Sequence, residues 1–514
     1  MCGPCPRYWI SGRNEGTPMN SQVSNRHEGD LGGRLSAFTG VRRVGVTIIV
    51  APGRAHLASV QHTAWMLLNI LSRFDGIVER ASLCCPRGVA LAARIIPLAS
   101  RNFDLRAALL AGAKAIGVVP VAQDMRLERT LVVGDDQSDP RHGDLHVMGN
   151  GWCGGVSVKP ISLLRQTPES VLPFGPYVAA CIAGGEIFKT ARMRSGEYSS
   201  PSSAFYSVWD HKSSPRPILS GPSDLRLTLD AALAGVGAVG CSVMHALWAC
   251  PGVDGKVLVA DNDTKGLDNS NLNRYSLFGA GSVGNPKATA ASQIVSDSPI
   301  QWVAVDKGFE DLDVIPQRVI SAVDRNRSRQ SIQNRYPARI FSGSTLDIRA
   351  EILRCGPPGI GACLRCYNEP EKIAPDEELR ASLRGASENQ IRSLAESADV
   401  TLGEARAWIE TGKCGLPGER LLPHLRIEGG SVTFAVSFVS VMAGAMLAAE
   451  LLKDHLLNVS ALSASAQRAV FQFFSPLGKR NGAGAYPRHP NCPMCVPSSE
   501  ACRIWADRYR QLQR

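Results

Sequence analysis

The amino-acid sequence predicts an α/β protein, a mainly parallel sheet with covering helices, laid down twice along the chain. Three observations carry this. Val44 to Val50 (VGVTIIV) is a continuously apolar run rich in β-branched residues, followed by a turn at Pro52 and Gly53 and an apolar helical stretch from about Leu57 to Phe74. A second strand begins at Leu225 to Leu229 and leads through a glycine-rich turn, Leu233 to Gly240, into an apolar helix from Ser242 to Ala249. Apolar runs alternate with helical stretches in between, as they do where helices cover the faces of a parallel sheet.

The 514 residues exceed what one ordinary core accommodates. Residues 1–40 are rich in Gly, Ser, Asn and charge without periodicity and read as a mobile tail. Residues 41–200 form the first half. Strands are expected at Thr130 to Val133 and His146 to Met148, and a buried small-residue helix at Pro176 to Phe188. The Ser- and Pro-dense stretch 201–224 reads as a linker, residues 225–500 as the second half with a helical insertion at 372–420, and 501–514 as a basic helical tail. No apolar stretch is long enough to span a bilayer and the first residues do not form a signal peptide, so a cytoplasmic protein is expected, without membrane association. The net charge of +10 is scattered among acidic residues, which argues against a nucleic-acid binder and permits an acidic protein partner.

The glycine-rich turn reads LAGVGAVG, with Gly235, Gly237 and Gly240 in GxGxxG spacing. The first glycine makes the turn, the second lets backbone approach a phosphate, and the third packs helix on strand, as in a Rossmann-type nucleotide site. The next strand, Lys256 to Ala260, delivers Asp261 and Asp263 about 20 residues on, where a carboxylate accepts hydrogen bonds from ribose hydroxyls. This much fits NAD or ATP. The following residues favour ATP. Arg274 (in SNLNR), Lys287 (in GNPK) and Asp324 (closing ISAVD) supply two cations and a carboxylate beyond the phosphate loop. Phosphoryl chemistry needs such groups to neutralise phosphate charge and to hold magnesium.

The 15 cysteines do not suggest a disulfide scaffold in a chain of this length. Cys363 with Cys366 and Cys492 with Cys495 form two Cys-x-x-Cys knuckles, and four thiolates complete a closed, structural zinc site. Cys414 lies at the end of the charged helical insertion, between glycines and beside Lys413. Such a thiol is accessible and shifted toward thiolate. A free surface cysteine is the alternative. Cys241 and Cys250 are expected in the core.

The stretches LAGVGAVG, VLVADND, SNLNRYSLFG, GNPKA, AVDRNRSRQSIQN, CLRC and CPMC, spread over most of residues 225 to 497, resemble the ThiF/MoeB superfamily. This is the adenylation fold shared by ubiquitin-activating enzymes and the activators of sulfur-carrier proteins. The resemblance implies that Asp261 binds the ATP ribose, that Asn271, Arg274 and Lys287 contact the phosphates, and that Asp324 positions Mg2+. It also implies a catalytic cysteine in the crossover region where Cys414 lies, and a first half that is a nucleotide-incompetent Rossmann-like partner. Such a half can lend an arginine to the active site; Arg42, Arg43 and Arg54 are candidates. Tyr275 departs from the family pattern, which has glutamine there. The expected function is adenylation of the C-terminal glycine of a ubiquitin-like protein, then a thioester on Cys414 and transfer to a ubiquitin-conjugating-type enzyme. A homodimer is compatible with this. Sulfur-carrier adenylation without a thioester, an NAD-dependent oxidoreductase and a non-catalytic scaffold are the alternatives.

Overall fold

The computed structural model describes residues 42–99, 104–134, 144–160, 168–192, 200–264, 266–267, 272–346, 348–356, 361–368, 375–412, 418, 420–421, 436–457 and 466–509. The strands form two eight-stranded sheets. The first holds β1 (Val44–Val50), β2 (Val78–Cys84), β3 (Val121–Gln123), β4 (Arg129–Val133), β5 (Leu145–Asn150), β6 (Cys153–Ser157), β7 (Ser203–Ser207) and β8 (Lys212–Ser214). The second holds β9 (Leu227–Ala234), β10 (Val253–Ala260), β11 (Ile300–Val305), β12 (Arg318–Ser321), β13 (Arg339–Leu346), β14 (Arg349–Cys355), β15 (Arg468–Gln472) and β16 (Gly482–Gly484).

Strand order runs β3-β2-β1-β4-β5-β6-β7-β8 in one sheet and β11-β10-β9-β12-β13-β14-β15-β16 in the other. In each, the first five strands in that order are parallel and the remaining three antiparallel. The halves are thus topological copies, although no residue-level repeat is visible in the sequence. β1 is buried along almost its whole length, as a continuous apolar run in a parallel sheet must be. β15 alternates half-buried and buried residues, as an antiparallel strand with one covered face does.

The stretch 201–224, expected as a linker, contributes β7 and β8 to the first sheet. Its serines and prolines flank short strands, while Ala204, Phe205 and Tyr206 are buried and the Tyr206 ring packs on Phe471 at 4.8 Å. The insertion contains helices Pro375–Leu383, Glu388–Ser397 and Leu402–Thr411. Capping boxes at Ser387/Gln390 and Thr401/Glu404 start the last two. Ile391, Ala395, Ala405, Trp408 and Ile409 give the insertion its own small core. Among the described residues, no helix is long and apolar enough to cross a membrane.

The sheets meet through helices. α1 (Ala58–Leu71) and α3 (Phe174–Arg192) lie on the first sheet; α2 (Leu105–Ile116) lies beside α1. α4 (Ala238–Ala249) follows β9, and a long helix, Ser437–Leu457, packs on α4, on α3 and on β13 and β14. α3 and Ser437–Leu457 are apolar around most of their circumference, which suits helices enclosed on all sides. At Gly444 a Cβ would collide with Ser242 of α4, so the crossing depends on that glycine. One hydrophobic cluster consequently runs through both halves, with Trp65, Leu68 and Tyr177 from the first and Met244, Phe438 and Leu447 from the second.

Charged groups cross the same interface. Glu450, fully buried, pairs with Lys453, Arg354 and the Nε2 of His211 from the first half, the last at 2.6 Å. Lys189 of α3 donates to Glu186 at 2.6 Å and to the carbonyl of Phe473 at 2.7 Å. Burial, followed by the charge of Lys453, lowers His211 to about 4 despite Glu450. Burial, with Arg94 the lesser cause, lowers His62 to about 3; burial, helped by His62 and Arg73, takes His245 to about 3. The hydrogen bonds agree with neutral rings: His245 Nε2 accepts from Trp65 Nε1 at 3.2 Å, and His211 bridges Glu450 and the Tyr206 hydroxyl.

Below pH 6.5 the unfolded chain protonates these three histidines while the folded chain does not until pH 3–4. Stability therefore falls as pH drops from 6.5 toward 4, by about 1.4 kcal/mol per pH unit for each histidine. The urea midpoint is expected to be lower at pH 5 than at pH 7, and replacing His211 with Gln should shrink the difference by about a third. An unchanged midpoint contradicts the assignment.

Candidate functional site

The glycine loop sits at the carboxyl end of β9, beside β10 and β12. Gly235 has φ +91°, and a Cβ on it would lie 3.0 Å from the carbonyl oxygen of Ala322. Its N–H donates to Ala260 at 2.8 Å, while Ala322 N–H donates to Ala234 at 2.8 Å, so the turn is held from both sides. A Cβ on Gly240 would collide with the Gly235 carbonyl, which fixes the close packing of α4 on β9. Gly237, the residue before α4, faces open space, where a Cβ would meet only the Ala322 oxygen at 4.0 Å. The first turn of α4 is left accessible to an anion.

Asp261 is tied to this loop. Its Oδ2 accepts from Val236 N–H at 2.6 Å and its Oδ1 from Asp263 N–H at 2.8 Å. Asp263 in turn forms an ion pair with Lys287 at 2.8 Å. Lys287 opens the helix Lys287–Ile294 directly after Pro286. Burial works against its charge, but Tyr275, Asp261 and Asp263 outweigh burial and raise its pKa above the ordinary lysine value. The ammonium is therefore permanently charged at the mouth of the loop. The Arg274 guanidinium lies 5.5 Å from the centre of the Tyr275 ring and the Lys287 ammonium 5.7 Å from it. The buried Tyr275 ring thus brings the two phosphate-contacting candidates to one place, an arrangement worth about 0.5–2 kcal/mol per cation. The sequence signalled this residue only as a departure from the family pattern.

Asp324 follows β12 through Ala322 and Val323 and is exposed; among the described residues its carboxylate has no partner. An unpaired carboxylate beside an anion site suits Mg2+. Asn271 and Cys414, expected as a phosphate contact and a nucleophile, lie outside the described residues.

The first half differs at the equivalent position. After β1 the chain makes a tight turn, Pro52–Arg54, in place of a glycine loop. The first turn of α1 is already met by a carboxylate, since Glu169 accepts from Ser59 N–H at 3.0 Å and from its hydroxyl at 3.2 Å. An anion from the chain itself stands where a phosphate would dock. Arg42 pairs with Glu128 and Arg54 lines a cavity with Ser59, Thr63 and Glu169, both within the first half. Among the described residues, Arg73 is a first-half arginine that reaches the second half, where its guanidinium donates to the carbonyls of Leu272 and Phe278. Sequence reasoning missed it because nothing local distinguishes it from a surface charge.

The two knuckles converge. Sulfur separations are 3.8 Å for Cys363–Cys366, 3.6 Å for Cys363–Cys492 and 3.3 Å for Cys366–Cys495, and all four lie within 4.8 Å of one another. A tetrahedral zinc with bonds of about 2.3 Å needs sulfurs about 3.8 Å apart, so the donor set fits the ion. The His489 N–H directed at Cys366 Sγ, at 3.4 Å, supplies outer-shell support. Beyond the second knuckle, the helix Glu500–Arg508, expected as part of a tail, docks on the domain. Trp505 Nε1 donates to Pro337 at 3.2 Å and the Tyr509 hydroxyl to Tyr336 at 2.9 Å. Replacing Cys492 with Ser should lower bound zinc from about one per chain toward none and expose Trp505, read by metal analysis and by a red-shifted tryptophan emission. Retained stoichiometric zinc would contradict a four-sulfur site.

The sequence model of the ThiF family matches residues 220–494, more than half of the chain. A Sinorhizobium fredii protein, described as uncharacterized protein y4jF, is 27% identical over 361 residues, 63% of this chain and 67% of that protein. The crystal structure of E. coli MccB with ATP shares 16% identity, covers 52% of this chain and superimposes with a TM-score of 0.34. The structure of E. coli MccB with AMPCPP and selenomethionine MccA gives the same identity and TM-score. The match spans 65% of the length of the first of these structures, just under two thirds. From the extent of the family match, together with a glycine loop, carboxylates and paired cations at the carboxyl end of a parallel sheet, the chain belongs to the ThiF family.

Proposed function

We propose that the chain uses Mg-ATP to adenylate the C-terminal glycine carboxylate of a small ubiquitin-like protein. The observation that supports this most strongly is the grouping of Arg274 and Lys287 about the Tyr275 ring, with Asp261, Asp263 and the open Gly237 turn alongside. In this reading the phosphates lie at the first turn of α4 and the ribose hydroxyls hydrogen-bond Asp261. A carboxylate oxygen of the carrier forms a bond to the α-phosphorus, the α–β bridging bond breaks, and pyrophosphate leaves with that electron pair. Arg274, Lys287 and Asn271 neutralise the charge that develops on the phosphates. Asp324 would hold Mg2+, which supplies further neutralisation. Lys287 is held by Asp263 before ATP arrives, so its charge is positioned in advance.

The acyl adenylate then reacts with Cys414. The thiolate attacks the activated carbonyl, AMP leaves, and the resulting thioester is passed to a ubiquitin-conjugating-type enzyme. The insertion that precedes Cys414 has its own core, which allows it to move as a unit.

Two measurements separate the steps. Arg274→Ala and Asp324→Asn should each reduce ATP–pyrophosphate exchange by about 10²–10³-fold without loss of folding. Exchange at the wild-type rate in both would sink the adenylation reading. Cys414→Ala should retain exchange and lose a thiol-labile conjugate with the carrier; a thiol-labile conjugate that persists excludes Cys414 as the nucleophile, and a wild type that forms none leaves adenylation without a cysteine thioester.

A further inference from the structure

The first half lacks a glycine loop, yet two of its buried side chains end on the second half's phosphate-binding segment. Arg73, 1% exposed, lies just past the end of α1. Its Nε donates to Asn69 Oδ1 at 2.6 Å, and its two terminal nitrogens donate to the carbonyls of Leu272 at 2.6 Å and Phe278 at 2.7 Å. Asn69 Nδ2 donates to the carbonyl of Ser276 at 2.7 Å. The Ser276 hydroxyl lies 3.0 Å from that of Ser242 on α4. Three carbonyls of one irregular segment, 272 to 278, are thus met by side chains from the other half, and Arg274 and Tyr275 lie between them.

The segment needs such help. Leu272, Asn273 and Tyr275 to Phe278 are buried, so water does not satisfy these carbonyls, and the segment is neither helix nor strand. A buried carbonyl without a donor is costly, and a planar guanidinium with five donors can meet two carbonyls and an amide at once. Burial draws Arg73 down to about 9, which still leaves it charged at neutral pH.

We propose that Arg73, anchored by Asn69, is a positioning residue for nucleotide activation: through it the first half fixes the backbone that aims Arg274 and Tyr275 at the phosphates. The proposal rests on the nucleotide reading of the site for its consequence, but not for the ordering of the segment. Arg73 touches no reacting atom. It acts on the carbonyls at both ends of the segment, and this gives the first half a role without a nucleotide of its own.

The test compares Arg73→Met, Arg73→Lys, Asn69→Leu and, as a control, Lys189→Met, whose buried cation also crosses between the halves but ends on Phe473. Hydrogen–deuterium exchange of peptides covering 272–278 reads the ordering; ATP–pyrophosphate exchange reads its consequence. Arg73→Met should speed amide exchange in that segment at least tenfold, with β1 and β9 unchanged. It should lower kcat/KM for ATP at least thirtyfold, mostly through kcat, and Arg73→Lys should recover part of both. Lys189→Met should lower the thermal midpoint while leaving both readouts at the segment unchanged. If Arg73→Met does not fold, Asn69→Leu carries the same comparison. The proposal is overturned if 272–278 stays protected in Arg73→Met and Asn69→Leu, or if Lys189→Met loses kcat to the same degree. Pyrophosphate exchange is read with the carrier present, because it runs through the acyl adenylate; failure of the wild type to bind ATP refutes the nucleotide reading alone, since the amide-exchange comparison still decides the ordering.

Discussion

The structure depends on the packing of two helical layers, α1 and α3 from one half against α4 and the long helix Ser437–Leu457 from the other. Each of these helices has an apolar surface too broad to be covered by its own sheet alone. Fusing the layers removes both surfaces from water at once, which is why one hydrophobic cluster passes through both halves. Close approach at Gly444 brings the second-half helices into register. From this arrangement follow the burial of Arg73, the placement of segment 272–278, and the enclosure of Glu450 with its three cationic or imidazole partners.

Buried charges within an apolar interface carry a desolvation penalty that their mutual attraction offsets only when every partner is placed. Glu450 meets that condition through groups from both halves: His211 comes from the first, Arg354 and Lys453 from the second. Lys453 also donates to the carbonyls of Val208 and Trp209, both at 3.0 Å, so it satisfies first-half backbone as well. A displaced docking of the halves would take His211 from Glu450 and the two first-half carbonyls from Lys453. The network therefore favours one docking geometry over others of similar apolar area.

Topological equality and chemical inequality coexist in the two halves. Both place a first strand, a turn and a helix at the same position in the same strand order. In the second half the turn is glycine-rich and the helix start is open at Gly237; in the first it is Pro52–Arg54, and Glu169 has taken the helix start. The two halves thus differ at this position by a few residues in one turn. The first half keeps the strand order and the helical layer that packs against the second, while its own carboxylate occupies the helix start.

Local sequence was sufficient for much of this. Val44–Val50 as a buried strand, the helices after it and after the glycine loop, and the Phe174–Arg192 helix follow from apolar runs and turn residues. The glycine spacing and the two Cys-x-x-Cys pairs, whose sulfurs do come together, were legible because their chemistry is fixed by short spacings. The stretch 201–224 was misjudged because Ser and Pro around a short edge strand have the same composition as a linker, and only sheet pairing distinguishes them. The equal strand order of the halves, the Lys287–Asp263 pair, the Tyr275 ring between two cations and the Arg73 contacts with segment 272–278 were decided by tertiary structure. Each joins groups that are separated along the chain or meet only when the sheets are docked, and no local pattern encodes that distance. The sequence by itself determined which residue types a nucleotide site would draw upon; the packing of two halves decided which of them meet and what holds them there.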